Sequence, residues 1–517
     1  MNKTLLWRYT AALLFTTFVV AVAGAHDFAD RPDLNGTSGL SGMAGSSVFA
    51  DPTGALQVIN ANGRTNTNGA FFQSLGTNGR SCSTCHVADQ AMSISPPQIQ
   101  ERFAQTRGGD PLFAAFDGAN CPNGRNSDAA AHSLLLSHGL IRIPLAVPAN
   151  AKFTVTVVHD PYGCALVADP KTGVLTLSTY RRPLPTTNLG FLSTMMFDGR
   201  ESPAGATTAL GTLATFKSNL NGDLTQQAID ATLTHAQATA APTPQQLADI
   251  VGFEMGLFTA QVYDRNAGDL HAGGALGGAP YLLKDQPAYY PGINDVLGAD
   301  PFGIAFDSTS MTLFAAWENG GNPQDYERGT YYRREARSDI AAGEVLFNTA
   351  PLTISAVRGL NDNTALGNPS SFQGTCTSCH DTPNVGDHSL PLPLDIGTAH
   401  TPSAGLETDP NIQRAIAELN EPDLPIFLVK GCTTPFSAGQ PVSFYTTDLG
   451  KGMITGLCSD LNRIKGPVLR GLAGRAPYFH NGAAATLLQA VNFYNQRFSM
   501  NLTEEQKRQL VAFLNSL

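Results

Sequence analysis

Two short stretches carry the residues best suited to chemistry. "GRSCSTCHVAD" sets Cys82 and Cys85 three apart and follows them with His86; "GTCTSCHDTP" repeats the arrangement as Cys376, Cys379 and His380. Cys-x-x-Cys-His is the spacing at which two thiols reach the vinyl groups along one edge of a porphyrin while the next residue offers an imidazole to the iron. Each stretch therefore reads as an attachment site for a c-type haem. Two other readings compete. A thioredoxin-like redox pair shares the Cys-x-x-Cys spacing but has no use for a histidine directly after it, twice. A zinc site could draw on four cysteines, but roughly 290 residues separate the two pairs, against the tens usual in a zinc module.

Covalent attachment suits an exported protein, which could otherwise lose its cofactor. Lys3 and Arg8 give a positive start, "AALLFTTFVVAVAG" is an apolar stretch too short to span a bilayer comfortably, and Ala23–Ala25 supply small residues for cleavage before His26. Segment 1–25 is expected to be a signal peptide, with an uncleaved anchor as the competing reading. No later segment is long and apolar enough to span, so the mature protein is expected to be soluble, outside the cytoplasm and off the membrane. The chain has 32 Lys and Arg against 42 Asp and Glu; removing Lys3 and Arg8 leaves 30 against 42, a formal charge of -12. That acidity argues against nucleic acid and suits a basic protein partner, although solubility alone would explain it. Cys121, Cys164, Cys432 and Cys458 remain outside the motifs, and an oxidising compartment favours their pairing. Nearest-neighbour pairing gives Cys121–Cys164 and Cys432–Cys458, one of three connectivities.

These groups need a scaffold, and 517 residues are too many for one ordinary core. A hydrophobic fraction of 42% with 14% charged residues, 51 Gly and 33 Pro is globular and loop-rich. "NGAFFQSLGTNGRSCSTCH" is an apolar turn running into the first motif. "SDIAAGEVLFNTAPL" repeats that theme before the second, with Ser338 as the expected N-cap and Ile340, Val345, Leu346 and Phe347 as apolar positions. In "LTEEQKRQLVAFLNSL", Thr503 and Gln506 form a capping box, and Leu510, Phe513, Leu514 and Leu517 make one stripe. "HSLLLSHGLIRIPLAVPANAKFTVTVVHDPYGC" alternates β-branched residues and reads as a small strand insertion. "TPQQLADIVGFEMGLFTAQVYD" reads as one long amphipathic helix, and the Gly/Pro-rich run after it as a crossing segment.

"YRRPLPTTNLGFLSTMMFDGRES" resembles the segment leading to an Asp-Gly-Arg corner in the bacterial dihaem cytochrome c peroxidases, the family that also contains MauG. "GPVLRGLAGRAPYFHNGAAATLLQAVNFYNQRF" resembles that family's second signature, with its Pro-Tyr-Phe-His-Asx-Gly core. The resemblance implies a mainly α chain of two cytochrome c-like haem domains, with a small β-containing insertion in the N-terminal one. The divisions expected are a signal peptide over 1–25, an N-terminal haem domain over 26–265, a crossing segment over 266–337 and a C-terminal haem domain over 338–517. It implies a periplasmic oxidoreductase that activates hydrogen peroxide, or O2, at the His86 haem, with the His380 haem as electron relay or store. Reducing equivalents would come from a small redox protein or from an organic or protein donor. A peroxide-scavenging peroxidase served by a small cytochrome, and a dihaem electron carrier without substrate chemistry, are the alternatives.

The family's remaining site positions carry over one by one. A displaceable distal histidine of the peroxidases falls on Arg102, so an open first haem is implied, with Met92 as the nearest other ligand. The sixth ligand of the second haem falls on Tyr494, where the peroxidases have Met and MauG has Tyr; a phenolate is a hard donor that favours high-valent iron. His480 and Met500 are fallback ligands. The distal acid–base Glu falls on Gln226, which cannot shuttle a proton near neutral pH, and a distal Gln falls on Met195. His235 and Glu201 are candidates to serve instead, while Arg200, a further candidate, and Asp198 could equally brace the corner. A calcium ion held partly by the carbonyls of Arg475 and Pro477 is also within the resemblance.

Overall fold

The computed structural model describes residues 45–202, 213–320, 330–400, 409–433 and 441–517. The expected signal peptide, 1–25, lies outside the described residues. Among the described residues no helix is long and apolar enough to cross a membrane.

Among the described residues there are ten α-helices: α1 Pro96–Thr106, α2 Ser133–His138, α3 Leu213–Thr234, α4 Pro244–Met255, α5 Ala279–Asp285, α6 Thr330–Thr349, α7 Pro410–Ile416, α8 Gly452–Thr455, α9 Leu487–Arg497 and α10 Glu504–Asn515. Local signals set several of their ends. Thr243 and Gln246 box the start of α4 behind Pro244, and Thr503 and Gln506 box α10 as the sequence predicts. The stripe on α10 is buried at Leu510, Phe513 and Leu517, and packs on Ile340, Ala341 and Phe347 of α6. Helix α6 begins at Thr330, so Ser338 lies inside it rather than capping it, and Val345 faces solvent at 41% exposure.

Among the described residues helix makes up 34% and strand 17%, so the fold is mixed rather than mainly α. The described strands are β1 Ser46–Ala50, β2 Gly54–Asn60, β3 Ile141–Ala146, β4 Thr154–His159, β5 Leu166–Ala168, β6 Leu175–Arg181, β7 Leu257–Asp264, β8 Gly268–Asp269, β9 Leu352–Ser355, β10 Ser371–Gly374, β11 Ile426–Thr433 and β12 Pro441–Thr446. They form four sheets, ordered β1-β2-β7-β8, β3-β6-β5, β12-β11-β4 and β10-β9. The first was not expected. Every residue of β2 is buried, so no in–out alternation marks it. The long helix expected over 243–264 stops at Met255. Past Gly256 the β-forming run Leu257–Tyr263 pairs antiparallel with β2 instead of continuing the helix. The strand insertion is present, and its β4 pairs with β11 from the far end of the chain. Both nearest-neighbour disulfides form, Cys121–Cys164 and Cys432–Cys458.

The Gly/Pro-rich crossing segment carries the short helix α5 and the start of α6, is elsewhere mostly irregular, and is not peripheral. Phe314 and Trp317 are fully buried against the α6–α10 core, and Trp317 Nε1 donates to the Ala272 carbonyl at 2.8 Å.

Candidate active site

Both Cys-x-x-Cys-His motifs fold into the same turn. Cys82–Thr84 and Cys376–Ser378 are single 3-10 turns, each opened by a reciprocal side-chain box, Ser81 with Thr84 and Thr375 with Ser378. His86 N–H donates to the Cys82 carbonyl at 3.1 Å, and His380 N–H to that of Cys376 at 3.0 Å. His86 Nδ1 meets the Met92 carbonyl at 3.1 Å and His380 Nδ1 meets the Gly386 carbonyl at 2.6 Å, each six residues on. A ring tied through Nδ1 offers Nε2 as its ligand atom. Burial pushes His86 down to about 4 and also lowers His380, so both rings are neutral, the form that binds a metal. A phenylalanine leans on each ring: Phe71 lies 6.5 Å from His86 and Phe347 lies 6.0 Å from His380, centroid to centroid. The four motif cysteines are free of disulfides, and burial raises Cys82, Cys376 and Cys379 to about 12. A thioredoxin-type pair works through a lowered thiol pKa, so that reading loses its chemistry.

Around the first turn lies a cavity of about 170 Å³, partly open to solvent, with Cys82, Cys85 and His86 in its wall. His235, just past the end of α3, lines this cavity. Its Nδ1 bonds the Asp117 carboxylate, which also binds Arg80 Nη1. Arg80 is itself fixed by the carbonyls of Pro111 and Leu112, each at 2.8 Å. Burial alone would raise Asp117, but His235 and Arg80 outweigh it and hold the carboxyl below its usual range. Glu254, at the end of α4, lines the same cavity; it is buried, its Oε2 has no hydrogen-bond partner, and burial pushes it up to about 7. The cavity is also cationic. Lys465, lowered to about 8 by burial, and Arg182, bonded only to the carbonyls of His138, Ile94 and Arg475, both line it. Cations without carboxylate partners suit the two propionates of a haem.

The other sequence candidates fall as follows. Gln226 is exposed on α3 and bonds Asp230 at 2.9 Å, while its neighbour Gln227 faces the cavity. Arg200 lines the cavity and bonds Asp198 at 3.1 Å; Glu201 lies 3.6 Å from Arg200, outside the lining. Met195 lines the cavity. Met92 contributes its carbonyl to His86, and its side chain is in the core. Arg102 bonds Asp110 through two nitrogens and donates to the Thr84 carbonyl at 2.7 Å, so it braces the first motif. At the second motif, Tyr494 packs in one cluster with Cys376, Cys379 and Met500. Burial, followed by the two cysteine sulfurs, raises its phenol well above the ordinary value. His480 lies elsewhere, beside Phe197 and 3.9 Å from Asp448. The Arg475 carbonyl, one of the two candidate calcium ligands, accepts Arg182 Nη2 at 3.1 Å.

Sequence reasoning missed Asp117, Arg80 and Glu254. The available signal was weak: an acid inside the apolar run of α4, and an arginine two residues ahead of the first motif.

This donor set, with paired thiols, neutral tethered imidazoles and a cationic cavity, suits a covalently attached haem. Known proteins agree. No protein-family profile matches the chain. A protein named cytochrome-c peroxidase IdrP2, from Denitromonas iodatirespirans, is 32% identical over 153 residues, 28% of this chain and 36% of that protein. A cytochrome c551 peroxidase of Nitrosomonas europaea is 33% identical over 88 residues, 17% of this chain and 25% of that protein. The chain is thus similar to these two curated proteins over part of its length, and it spans only 36% and 25% of theirs.

Proposed function

We propose that the chain is a periplasmic, exported dihaem c-type peroxidase, reducing hydrogen peroxide with electrons from a small cytochrome. The observation that carries this reading is the grouping of His86, the His235–Asp117–Arg80 chain and Glu254 around one cavity. Cys82, Cys85 and His86 would hold one haem, and Cys376, Cys379 and His380 the other. When bound, haem c supplies the redox chemistry by which peroxide, two electrons and two protons become two waters.

The chain's own residues manage binding and protons. Asp117 fixes the His235 ring through Nδ1, which leaves Nε2 to take a proton from one peroxide oxygen and return it to the other. General acid–base help of this kind is worth about 10²–10⁴-fold. Arg80 holds Asp117 ionised, so the dyad keeps its orientation. Glu254, poised near neutrality by burial, is a second proton store on the same wall. Arg182 and Lys465 would anchor the propionates.

Tyr494 favours a second reading, in which the C-terminal haem stores an oxidising equivalent for an organic or protein substrate, as in MauG. Spectroscopy of purified holoprotein tests both. Two haems per chain, one open to carbon monoxide, and peroxide-dependent oxidation of reduced cytochrome c support the peroxidase. Peroxide that bleaches neither haem nor oxidises any donor refutes it. Tyr494→Phe should change the ligand-field bands of the second haem only if the phenol ligates it.

A further inference from the structure

Beyond the haem chemistry, we propose that Asp295, Asp381 and His388 form a buried site for a divalent transition metal of the zinc or manganese class. One ligand atom from each lies within 4.8 Å of the others. Asp295 and Asp381 are 0% exposed and His388 is 8% exposed. Existing bonds orient the group but do not satisfy it. His388 Nδ1 pairs with Asp381 Oδ2 at 2.8 Å, Asp381 Oδ1 accepts the Ser389 N–H at 2.7 Å, and Asp295 Oδ2 accepts the Ala299 N–H at 2.8 Å. Asp295 Oδ1 and His388 Nε2 are buried without a hydrogen-bond partner, and so are both oxygens of the adjacent Asp387, which is 1% exposed.

An unpartnered buried carboxylate oxygen is costly, and an imidazolium at His388 could neutralise only one of three aspartates. Lys465, the cation felt by Asp387, lines the other haem cavity. With His388 neutral, as a ligand must be, a dication would offset two of the three carboxylate charges. The donors select its class. Calcium takes oxygen ligands, whereas a mixed imidazole–carboxylate set suits zinc or manganese. Ligand atoms around such an ion stand about 3–4 Å apart, so small side-chain rotations close the site.

Its place in the fold gives it a job. Asp295 belongs to the crossing segment, Asp381 follows His380, and His388 lies just past Gly386, whose carbonyl holds the His380 ring. The same segment is already stitched to the motif: Gly292 N–H donates to Ser389 O at 3.0 Å, Asn294 Nδ2 to Asp381 O at 3.1 Å, and Thr377 Oγ1 to Ser308 O at 2.9 Å. The metal would lock that clasp behind the second haem motif.

The test is elemental analysis of holoprotein equilibrated with Zn2+ or with Mn2+ and then dialysed against metal-free buffer. The expected result is about one equivalent of zinc or manganese retained beside two irons, with a raised Tm, and loss of that equivalent in both Asp295→Asn and His388→Gln. Wild-type protein that retains no stoichiometric zinc or manganese overturns the site, whether or not the variants fold. So does retention unchanged in both variants, or retention of calcium alone.

Discussion

At the scale of single residues, the two histidines that follow the cysteines are set by main-chain atoms. Met92 and Gly386 each contribute a carbonyl to an imidazole Nδ1, and the left-handed backbone of both residues, φ 58° and 80°, turns that carbonyl back toward the motif. Side-chain type says nothing about such a contact, so from sequence Met92 read as a thioether ligand or a core residue. The cysteines and histidines themselves were legible because their spacing is dictated by the cofactor. On the proposed distal side His235 was legible as a candidate, but its cavity neighbours Asp117 and Glu254 were not, because the fold brings them there from other parts of the chain. A comparison between two residues of nearly adjacent sequence tests that assembly. His235→Gln should lower kcat/KM for peroxide by about 10²-fold or more while the haem content stays at the wild-type value. Gln226→Ala, on the exposed face of α3, should stay within about twofold, as surface changes usually do. Equal losses in both would remove His235 from the mechanism.

Secondary-structure elements meet this site through close packing and buried acids. Helices α6 and α10 cross at Gly343, where an added Cβ would stand 2.1 Å from the Gln509 carbonyl oxygen. A backbone atom cannot yield, so Gly343→Val should cost about 1–3 kcal/mol, read by denaturant unfolding, although valine is the better helix former. Beside it, Glu344 Oε2 accepts the Phe314 N–H at 2.9 Å, and burial raises the carboxyl from 4.5 to about 7. A carboxyl raised on folding holds its proton longer in the native state. Its contribution is complete below about pH 4.5 and is lost as pH rises through about 7. Glu344→Gln keeps an acceptor for Phe314 and removes the titration, so its Tm should fall less than the wild-type Tm between pH 5 and pH 8; parallel curves would mean that Glu344 does not titrate on unfolding. These elements also mark what a sequence reveals. The α10 cap and stripe were legible because both are local, and they position Phe513 against Phe347, which in turn leans on His380. The break between α4 and β7 was not, because the pairing of β7 with β2 joins residues about two hundred positions apart and outweighs local helix preference.

Across the whole molecule, the two haem-motif halves are joined through structure that neither half could complete alone. Strand β4 of the insertion pairs with β11, and the Cys432–Cys458 disulfide closes the core beneath that sheet. Next to it, Arg181 at the end of β6 is fully buried and binds two acids at once. It grips Asp448 through Nε and Nη2, at 2.6 and 2.8 Å, and Asp198 of the Asp-Gly-Arg corner through Nη1. Burial by itself would raise both carboxyls; Arg181 reverses that and holds them below the usual range. A carboxyl depressed on folding contributes stability above its unfolded pKa of about 3.8 and loses it as pH falls through the lower folded value. Arg181→Met should invert the dependence. Without the guanidinium, two buried aspartates remain, with Arg200 beside Asp198 and His480 3.9 Å from Asp448, and removing one partner of a buried pair costs about 3–5 kcal/mol. The stranded carboxyls relieve that cost by taking up protons. The Tm gap between wild type and Arg181→Met should therefore be widest at pH 7 and narrow as the buffer is taken to pH 5. If the gap is constant over that range, the triad is held by packing rather than by charge.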